Sequence, residues 1–239
     1  MAQGTIDALD AAVAGTTTPT RFVDLVRDHP DVVALRAMSG DAPGAWREWT
    51  FAEVADLTAR AAAGLTALGV TTGERVLLMM RNRPDFHWLD LAAQFVRATP
   101  VSIYNSSSPE EIQYLAHHAE AEIAIVEDEG FLTRLLAVRG DLPELQHVFV
   151  IQPPAAGLPD GVRPVTDLFD HGTADLAQLA ADTSPDDIAT LIYTSGTTGP
   201  PKGVMISQYN VVYTVESLQR CIDFDVFVGR RAVSYLPMA

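Results

Sequence analysis

Ten consecutive positions of this chain, Thr194 to Gly203, hold four hydroxyl residues and three glycines, and Lys202 stands among them. Glycine permits positive φ and a close approach of an anion to backbone N–H groups, and hydroxyls add rotatable donors around the same point. At about 4 Å and an effective dielectric near 20, one ammonium attracts one anionic oxygen by roughly 4 kcal/mol before desolvation is subtracted. These residue types therefore indicate a loop that binds a polyphosphate.

A Walker A loop is one alternative for this stretch. That motif needs Gly directly before Lys, then Ser or Thr, and then a helix. Here Pro201 precedes Lys202, Gly203 follows it, and residues 204–206 are strand-like. We therefore predict a strand, a loop and a second strand, with the apolar run Ala189 to Tyr193 entering the loop as a buried strand.

A flexible connection without chemistry is the other alternative, because clusters of Gly, Ser, Thr and Pro usually mark such loops. Lys202 is the only lysine in a chain with fifteen arginines, and it is the sole cation between Arg163 and Arg220. A chain that otherwise uses arginine has placed a compact ammonium in this loop. The count favours phosphate binding.

At these residues the sequence resembles the adenylate-forming superfamily, whose ATP loop reads Thr-Ser-Gly-Thr-Thr-Gly-x-Pro-Lys-Gly. Every fixed position is matched from Thr194 to Gly203, with Pro200 at the variable place. The resemblance implies that a carboxylate attacks the α-phosphorus of ATP to give an acyl-adenylate and pyrophosphate, after which a thiol, usually that of coenzyme A, displaces AMP. Residues 103–110 are most similar to the long-chain fatty acid members, so the implied substrate is a fatty acid.

The same resemblance implies roles for the loop residues. Lys202 would steady the loop and the departing pyrophosphate, and Thr194 would also reach Mg²⁺. The β- and γ-phosphates of ATP would be held by Thr194, Ser195, Gly196, Thr197, Thr198 and Gly199. The substrate carboxylate is itself the nucleophile, so the chemistry requires no Ser–His or Cys–His pair.

The final residues, Tyr235 to Ala239, resemble the start of a further family motif, Tyr-Leu-Pro-x-Ala followed by His. We therefore expect residues 18–239 to be the amino-terminal half of an AMP-binding domain, after a loose segment 1–17, with the small carboxy-terminal domain absent. On this expectation the chain alone is inactive, and a separately encoded carboxy-terminal half is a candidate partner. A non-catalytic remnant or phosphate-binding module, and part of a fatty acyl-AMP ligase, remain alternatives.

The order of the remaining elements predicts the fold class. Apolar strands alternate with amphipathic helices through short connections, which implies parallel βαβ crossovers and a layered α/β sheet covered on both faces. The predicted strands are 75–80, 99–104, 122–127 and 147–151, and the predicted helices between them are 84–96, 108–119 and 132–138.

Further elements are expected on both sides of this unit. Before it, we predict a helix at 20–29, a hairpin of strands 32–37 and 46–50, and a helix from an N-cap at Thr50 to Gly69. After it come a surface excursion at 153–164, an acidic lead-in at 175–187, a helix capped by Ser207, and a strand at 230–236.

Several polar residues outside the loop are expected to be solvated rather than functional. They are Arg81 and Arg83 after a strand, the adjacent His117 and His118, and the acidic group Asp182, Asp186 and Asp187. Two positions depart from the family pattern. Gln208 stands where a His is common, and Arg97 stands where a Gly is common and is expected to crowd the start of a strand.

Composition limits the partners. The chain has 239 residues, 48% of them hydrophobic, and a net charge of −15, which argues against a nucleic-acid surface because phosphate backbones require clustered cations. One cysteine, Cys221, fits a reducing compartment. No apolar run approaches the length of a spanning helix and no secretory signal is evident, so the expected location is the cytoplasm.

Overall fold

The computed structural model describes residues 3–39, 44–194, 200–221 and 231–234. A seven-stranded sheet organises this part of the chain. The strands are β3 (Arg75–Met79), β4 (Thr99–Ser102), β5 (Ile123–Val126), β6 (His147–Val150), β7 (Val162–Pro164), β8 (Ile188–Thr194) and β9 (Lys202–Ser207). Their spatial order is β7-β6-β5-β3-β4-β8-β9, and every neighbouring pair is parallel except β8 with β9. The predicted α/β fold with a parallel sheet is confirmed.

Helices connect the parallel strands and cover both faces of the sheet. They are α4 (Pro84–Phe95) between β3 and β4, α5 (Pro109–His118) between β4 and β5, and α6 (Glu129–Leu136) between β5 and β6. Alternate residues of a strand point to opposite faces. Val76 and Leu78 accordingly pack into the core beneath α4, whereas Leu77 and Met79 pack into a second core beneath α5 and α6.

A separate antiparallel hairpin of β1 (Val33–Met38) and β2 (Trp46–Thr50) precedes helix α3 (Phe51–Ala67). Thr50 caps α3 as predicted, because its hydroxyl accepts from the Glu53 amide and the Glu53 carboxylate accepts from the Thr50 amide. Gly69 follows the helix with a φ of 85°. The early hairpin and the long helix are therefore confirmed.

The amino-terminal segment was expected to be loose, but it forms regular structure. Residues Gln3–Val13 form helix α1, and α2 (Thr18–Asp28) follows it. Leu9 and Val13 are buried, and the Tyr209 hydroxyl donates to the Asp10 carboxylate over 2.8 Å. The prediction failed because the large apolar residues of this helix are few, and its partner, α8 (Gln208–Cys221), lies almost 200 residues away in sequence.

Two predicted irregular segments contain regular structure. The surface excursion 153–164 ends in β7, where Val162 is buried against the core. The acidic lead-in contains helix α7 (Leu176–Asp182), which the Asp175 carboxylate caps. Short 3₁₀ helices occupy Arg139–Asp141 and Val165–Asp170. Of the strand predicted at 230–236, the described residues 231–234 form none.

The hairpin of β8 and β9 lies at one edge of the sheet. In β8 only Ala189 is buried, so the expectation of a buried strand was wrong. Ile192 of β8 is 43% exposed and Met205 of the outermost strand β9 is 68% exposed, so the described elements cover this end of the sheet less than its centre. Backbone pairing joins β8 to β4 through Val101 and Leu191. None of the helices in the described part of the chain combines the length and apolar character needed to cross a bilayer.

Candidate functional site: the loop between β8 and β9

The two ends of the predicted phosphate loop lie side by side. Thr194, the last residue of β8, pairs with Lys202, the first residue of β9, in an antiparallel ladder that continues to Ile188 and Ser207. A strand, not a helix, follows Lys202. The strand, loop, strand prediction is therefore confirmed, and the Walker A alternative is excluded. The remaining predicted phosphate contacts, Ser195, Gly196, Thr197, Thr198 and Gly199, lie outside the described residues.

This hairpin places the loop at the carboxyl edge of the parallel sheet. Because β8 runs parallel to β4, Thr194 lies at the same edge as the ends of β3, β4 and β5. In open α/β sheets, ligands bind outside this edge. Thr194 and Lys202 are both exposed there. The sheet thus presents a hydroxyl and an ammonium next to each other at the usual place for a ligand.

The arginines near this edge are engaged by carboxylates. The Arg81 guanidinium lies 2.9 Å from the Glu127 carboxylate and 2.6 Å from that of Asp128. Arg83 pairs with Asp85 at 2.7 Å and with Glu127 at 3.5 Å. These ion pairs correct the expectation of simple solvation. In contrast, none of the ion pairs between described residues involves Lys202.

Helix α5 supports both arms of the hairpin, which the sequence analysis did not anticipate. The Tyr114 hydroxyl donates to the Pro201 carbonyl over 2.8 Å. His118 Nδ1 and the Tyr193 hydroxyl share a hydrogen bond of 2.9 Å, so His118 is not merely solvated. The only signal in the sequence is the spacing of Tyr114 and His118, which places both side chains on one face of a helix.

The Tyr193 ring also depends on the glycine opposite it. Tyr193 pairs with Gly203 across the hairpin, and a Cβ added to Gly203 would lie 3.3 Å from Tyr193 Cζ. Burial is the main reason that the pKa of Tyr193 lies above its usual value; Tyr114 raises it further, and Arg75 lowers it. Tyr193 therefore keeps its proton at neutral pH and bonds to His118 as a neutral hydroxyl.

The base of the hairpin is held by the two residues that depart from the family pattern. Arg97, with a φ of 61°, forms hydrogen bonds of 2.8 and 2.9 Å with the carboxylate of Asp187, which is therefore not a solvated residue. Gln208 is 1% exposed; its Nε2 donates to the Gln94 side chain over 2.8 Å, and its Oε1 accepts from the Thr18 amide over 2.9 Å. Each of these residues stands in place of the residue that is common in the family. Arg97 bonds to Asp187 just before β8, and Gln208 at the start of α8 bonds to Gln94 of α4 and to Thr18 of α2.

A cavity of about 350 Å³ lies between α4, β8 and α8. Asp90, Gln94 and Phe86 line it from α4, and Thr190 and Ile192 line it from β8. Burial raises the pKa of Asp90 to about 7, although the hydrogen bond of 2.6 Å from Gln94 Nε2 acts in the opposite direction. The cavity is mainly apolar and contains one carboxyl group that titrates near neutrality.

Protein ligands for a metal ion are few at this site in the described part of the chain. The described residues contain no group of three or more His, Cys, Asp or Glu side chains placed to bind a metal. Mg²⁺ is commonly held by few protein ligands together with substrate phosphates. The exposed Thr194 hydroxyl beside Lys202 fits that arrangement, because it would supply one oxygen ligand to an ion bound together with phosphates.

The fold and this edge define an α/β protein with a glycine- and threonine-rich loop after a parallel strand. A family model described as "AMP-binding enzyme" matches residues 22–239. The chain therefore belongs to the AMP-binding enzyme family. The resemblance stated from residues 194–203 is confirmed.

Individual relatives agree with this assignment. The long-chain-fatty-acid–CoA ligase FadD15 of Mycobacterium bovis is 33% identical over 216 residues, which are 89% of this chain and 35% of that protein. The crystal structure of the anthranilate CoA ligase AuaEII with anthranoyl-AMP matches 81% of this chain and 35% of that one, with a TM-score of 0.69 and 26% identity. The long-chain-fatty-acid–CoA ligase FadD1 from Archaeoglobus fulgidus has the same fold, with a TM-score of 0.69 at 24% identity over 85% of this chain and 39% of that one. The chain spans about a third of the length of such relatives.

Proposed function

We propose that this chain supplies the phosphate-binding part of an ATP-dependent, AMP-forming fatty acid–CoA ligase. The observation that carries the proposal is the pairing of Thr194 with Lys202 at the carboxyl edge of the sheet, in a chain of the AMP-binding enzyme family. Because the chain spans about a third of the length of its relatives, we assign to it only phosphate binding and not the whole reaction. The fatty acid substrate follows from the names of relatives such as FadD15.

In this proposal the chain acts by positioning and by charge. Lys202 and the loop hold the β- and γ-phosphates, so that negative charge on the departing pyrophosphate meets an ammonium and several N–H and O–H donors. Mg²⁺, when bound with ATP, neutralises further phosphate charge, and Thr194 is its proposed protein ligand. The proposed phosphate contacts are Thr194, Ser195, Gly196, Thr197, Thr198, Gly199 and Lys202.

The site residues are tested by the binding of ligands that share the phosphates but differ in the nucleoside. Titration calorimetry of the full chain with ATP plus Mg²⁺, pyrophosphate plus Mg²⁺, and AMP is expected to give binding of the first two and much weaker binding of AMP. Lys202→Ala is expected to weaken the binding of ATP and of pyrophosphate by about 2 kcal/mol, the range of a lost hydrogen bond to a charged group.

Arg27→Ala is a matched control, because it also removes one positive charge and lies in α2, where its ion pairs are with Asp24 and Asp28. It should leave both affinities unchanged. No binding of ATP by the wild-type chain, or equal losses in the two variants, would contradict the proposed phosphate site.

The reaction itself separates the alternatives. We predict that the chain alone forms no acyl-adenylate, so ATP–pyrophosphate exchange stimulated by palmitate would overturn that prediction. Exchange restored by a separately supplied carboxy-terminal half of a ligase would support the proposed partner. AMP release that depends on coenzyme A would then favour a CoA ligase over a fatty acyl-AMP ligase, whereas phosphate binding without exchange in any combination would favour a non-catalytic module.

A further inference from the structure

We infer that Tyr114 and His118, one turn apart on α5, are positioning residues that fix the two arms of the loop between Thr194 and Lys202. The inference rests on the proposed function for the identity of the loop's ligand. Its structural basis is independent, because it consists of contacts among the described residues.

The contact on the second arm is made by Tyr114. Its hydroxyl donates to the carbonyl of Pro201, the residue directly before Lys202, over 2.8 Å. Proline has no N–H group, so the carbonyl is its one backbone hydrogen-bonding group. The hydrogen bond therefore fixes the peptide from which Lys202 extends.

The contact on the first arm is made by His118. Its Nδ1 lies 2.9 Å from the hydroxyl of Tyr193, the residue directly before Thr194. The His118 and Tyr193 rings also meet edge to face, with centroids 5.6 Å apart. His118 in turn contacts the Tyr114 ring at the same centroid distance, so the three rings form one continuous row.

Gly203 leaves Tyr193 little freedom on its other side. A Cβ at position 203 would stand 3.3 Å from Tyr193 Cζ, closer than ordinary van der Waals contact, so the ring lies directly over the β9 backbone. The ring is thus enclosed between His118 and Gly203. Since Tyr193 and Gly203 are cross-strand partners, holding this ring holds the last pairs of the ladder.

Helix α5 is a rigid support for these contacts. Ser108 and Glu111 form a complete capping box at its start, and Ile112, Leu115 and Ala116 are buried in the core beneath it. Each arm is therefore bonded, at the residue next to the closing pair, to a capped helix that is packed against the core. Fixing a loop before its ligand arrives lowers the ordering cost of binding.

The experiment compares hydrogen-bond deletions with matched controls. Tyr114→Phe removes only a hydroxyl, and His118→Leu removes the hydrogen bond from the first arm. Tyr209→Phe removes a hydroxyl bonded to Asp10 instead, and His117→Leu changes the neighbouring, exposed histidine. His118→Asn places an amide near the position of Nδ1 and is the conservative rescue.

Two measurements are made on the full chain. Hydrogen exchange is followed at amides of residues 191–194 and 202–206, and affinity is measured for ATP plus Mg²⁺. Tyr114→Phe and His118→Leu should each accelerate hydrogen exchange. Each should also lower the affinity for ATP by about three- to tenfold, as expected for one lost neutral hydrogen bond. Tyr209→Phe and His117→Leu should change neither, and His118→Asn should lie closer to wild type than His118→Leu does.

The two measurements separate this inference from the proposed function. If the wild-type chain does not bind ATP, the proposed function fails, and hydrogen exchange alone still decides whether α5 fixes the arms. Unchanged exchange in Tyr114→Phe and His118→Leu overturns the inference, even if ATP binding weakens. The same exchange and affinity in His118→Asn as in His118→Leu would also overturn it.

Discussion

Arg97 and Asp187, 90 residues apart in sequence, are joined by two hydrogen bonds of 2.8 and 2.9 Å between guanidinium and carboxylate. Asp187 also accepts from the Ser184 amide with its side chain and from the Gln208 amide with its carbonyl. Burial alone would raise the pKa of Asp187, but the bonds from Arg97 and Ser184 outweigh it, so the pKa lies below its usual value. The pair ties the turn before β4 to the start of β8.

Substitution of Arg97 should separate its two effects on stability. A non-glycine residue in the left-handed region costs roughly 1 to 2 kcal/mol, and we take about 1 kcal/mol for this partly buried, two-hydrogen-bond ion pair. Arg97→Ala loses the pair and keeps the unfavourable backbone, so it should destabilise by about 1 kcal/mol. Arg97→Gly loses the pair but relieves the backbone, so it should be near neutral. Urea denaturation measures both, and equal losses would contradict the backbone argument.

Gly64→Ala should be the most destabilising of the small substitutions considered. Gly64 lies in α3, and a Cβ there would overlap the Leu168 carbonyl oxygen and stand 2.7 Å from Leu168 Cα. Backbone must move to relieve that overlap, so we expect a loss of about 3 kcal/mol or more despite the better helix propensity of alanine. The control is Gly140→Ala, whose Cβ would meet no neighbouring atom within 4 Å. Comparable unfolding free energies for the two variants would refute the overlap.

Asp90 should make the folded state less stable as the pH rises towards neutrality. Its folded pKa of about 7 exceeds the ordinary value of 3.8, so between these values the folded protein holds a proton that the unfolded chain has released. Stability from this group therefore falls between pH 4 and 7 and then levels off. Asp90→Asn should flatten the change in unfolding free energy between pH 5 and 8, whereas Asp56→Asn, at a more exposed carboxylate, should not. A wild-type slope that persists in Asp90→Asn would contradict the assignment.

Local sequence patterns predicted the elements that depend on local physics. The apolar strands β3 to β6 and the helices between them are confirmed, because each has its own periodicity and α5 also has a cap, at Ser108 and Glu111. The strand, loop, strand form of the site was also predictable, since Pro201 and Gly203 around Lys202 oppose a helix.

Long-range contacts were not predictable in the same way. His118 was expected to be solvated because nothing near it in sequence is a partner, and the pairing of β4 with β8 brings Tyr193 to it across 75 residues. Helix α1 was missed for the same reason, since the element that covers Leu9 and Val13 comes late in the chain. Arg97 was expected only to crowd a strand, because its partner Asp187 belongs to a distant segment.

The ladder between β8 and β9 reaches the very ends of the loop, at Thr194 and Lys202. Paired strands stand about 5 Å apart whatever their side chains are. The width at which the chain leaves and re-enters the hairpin is therefore a property of backbone bonding and does not depend on the side chains of residues 195–201. A heptapeptide of different chemistry could be grafted at this place as a cassette, with the scaffold unchanged and only the ligand preference rewritten.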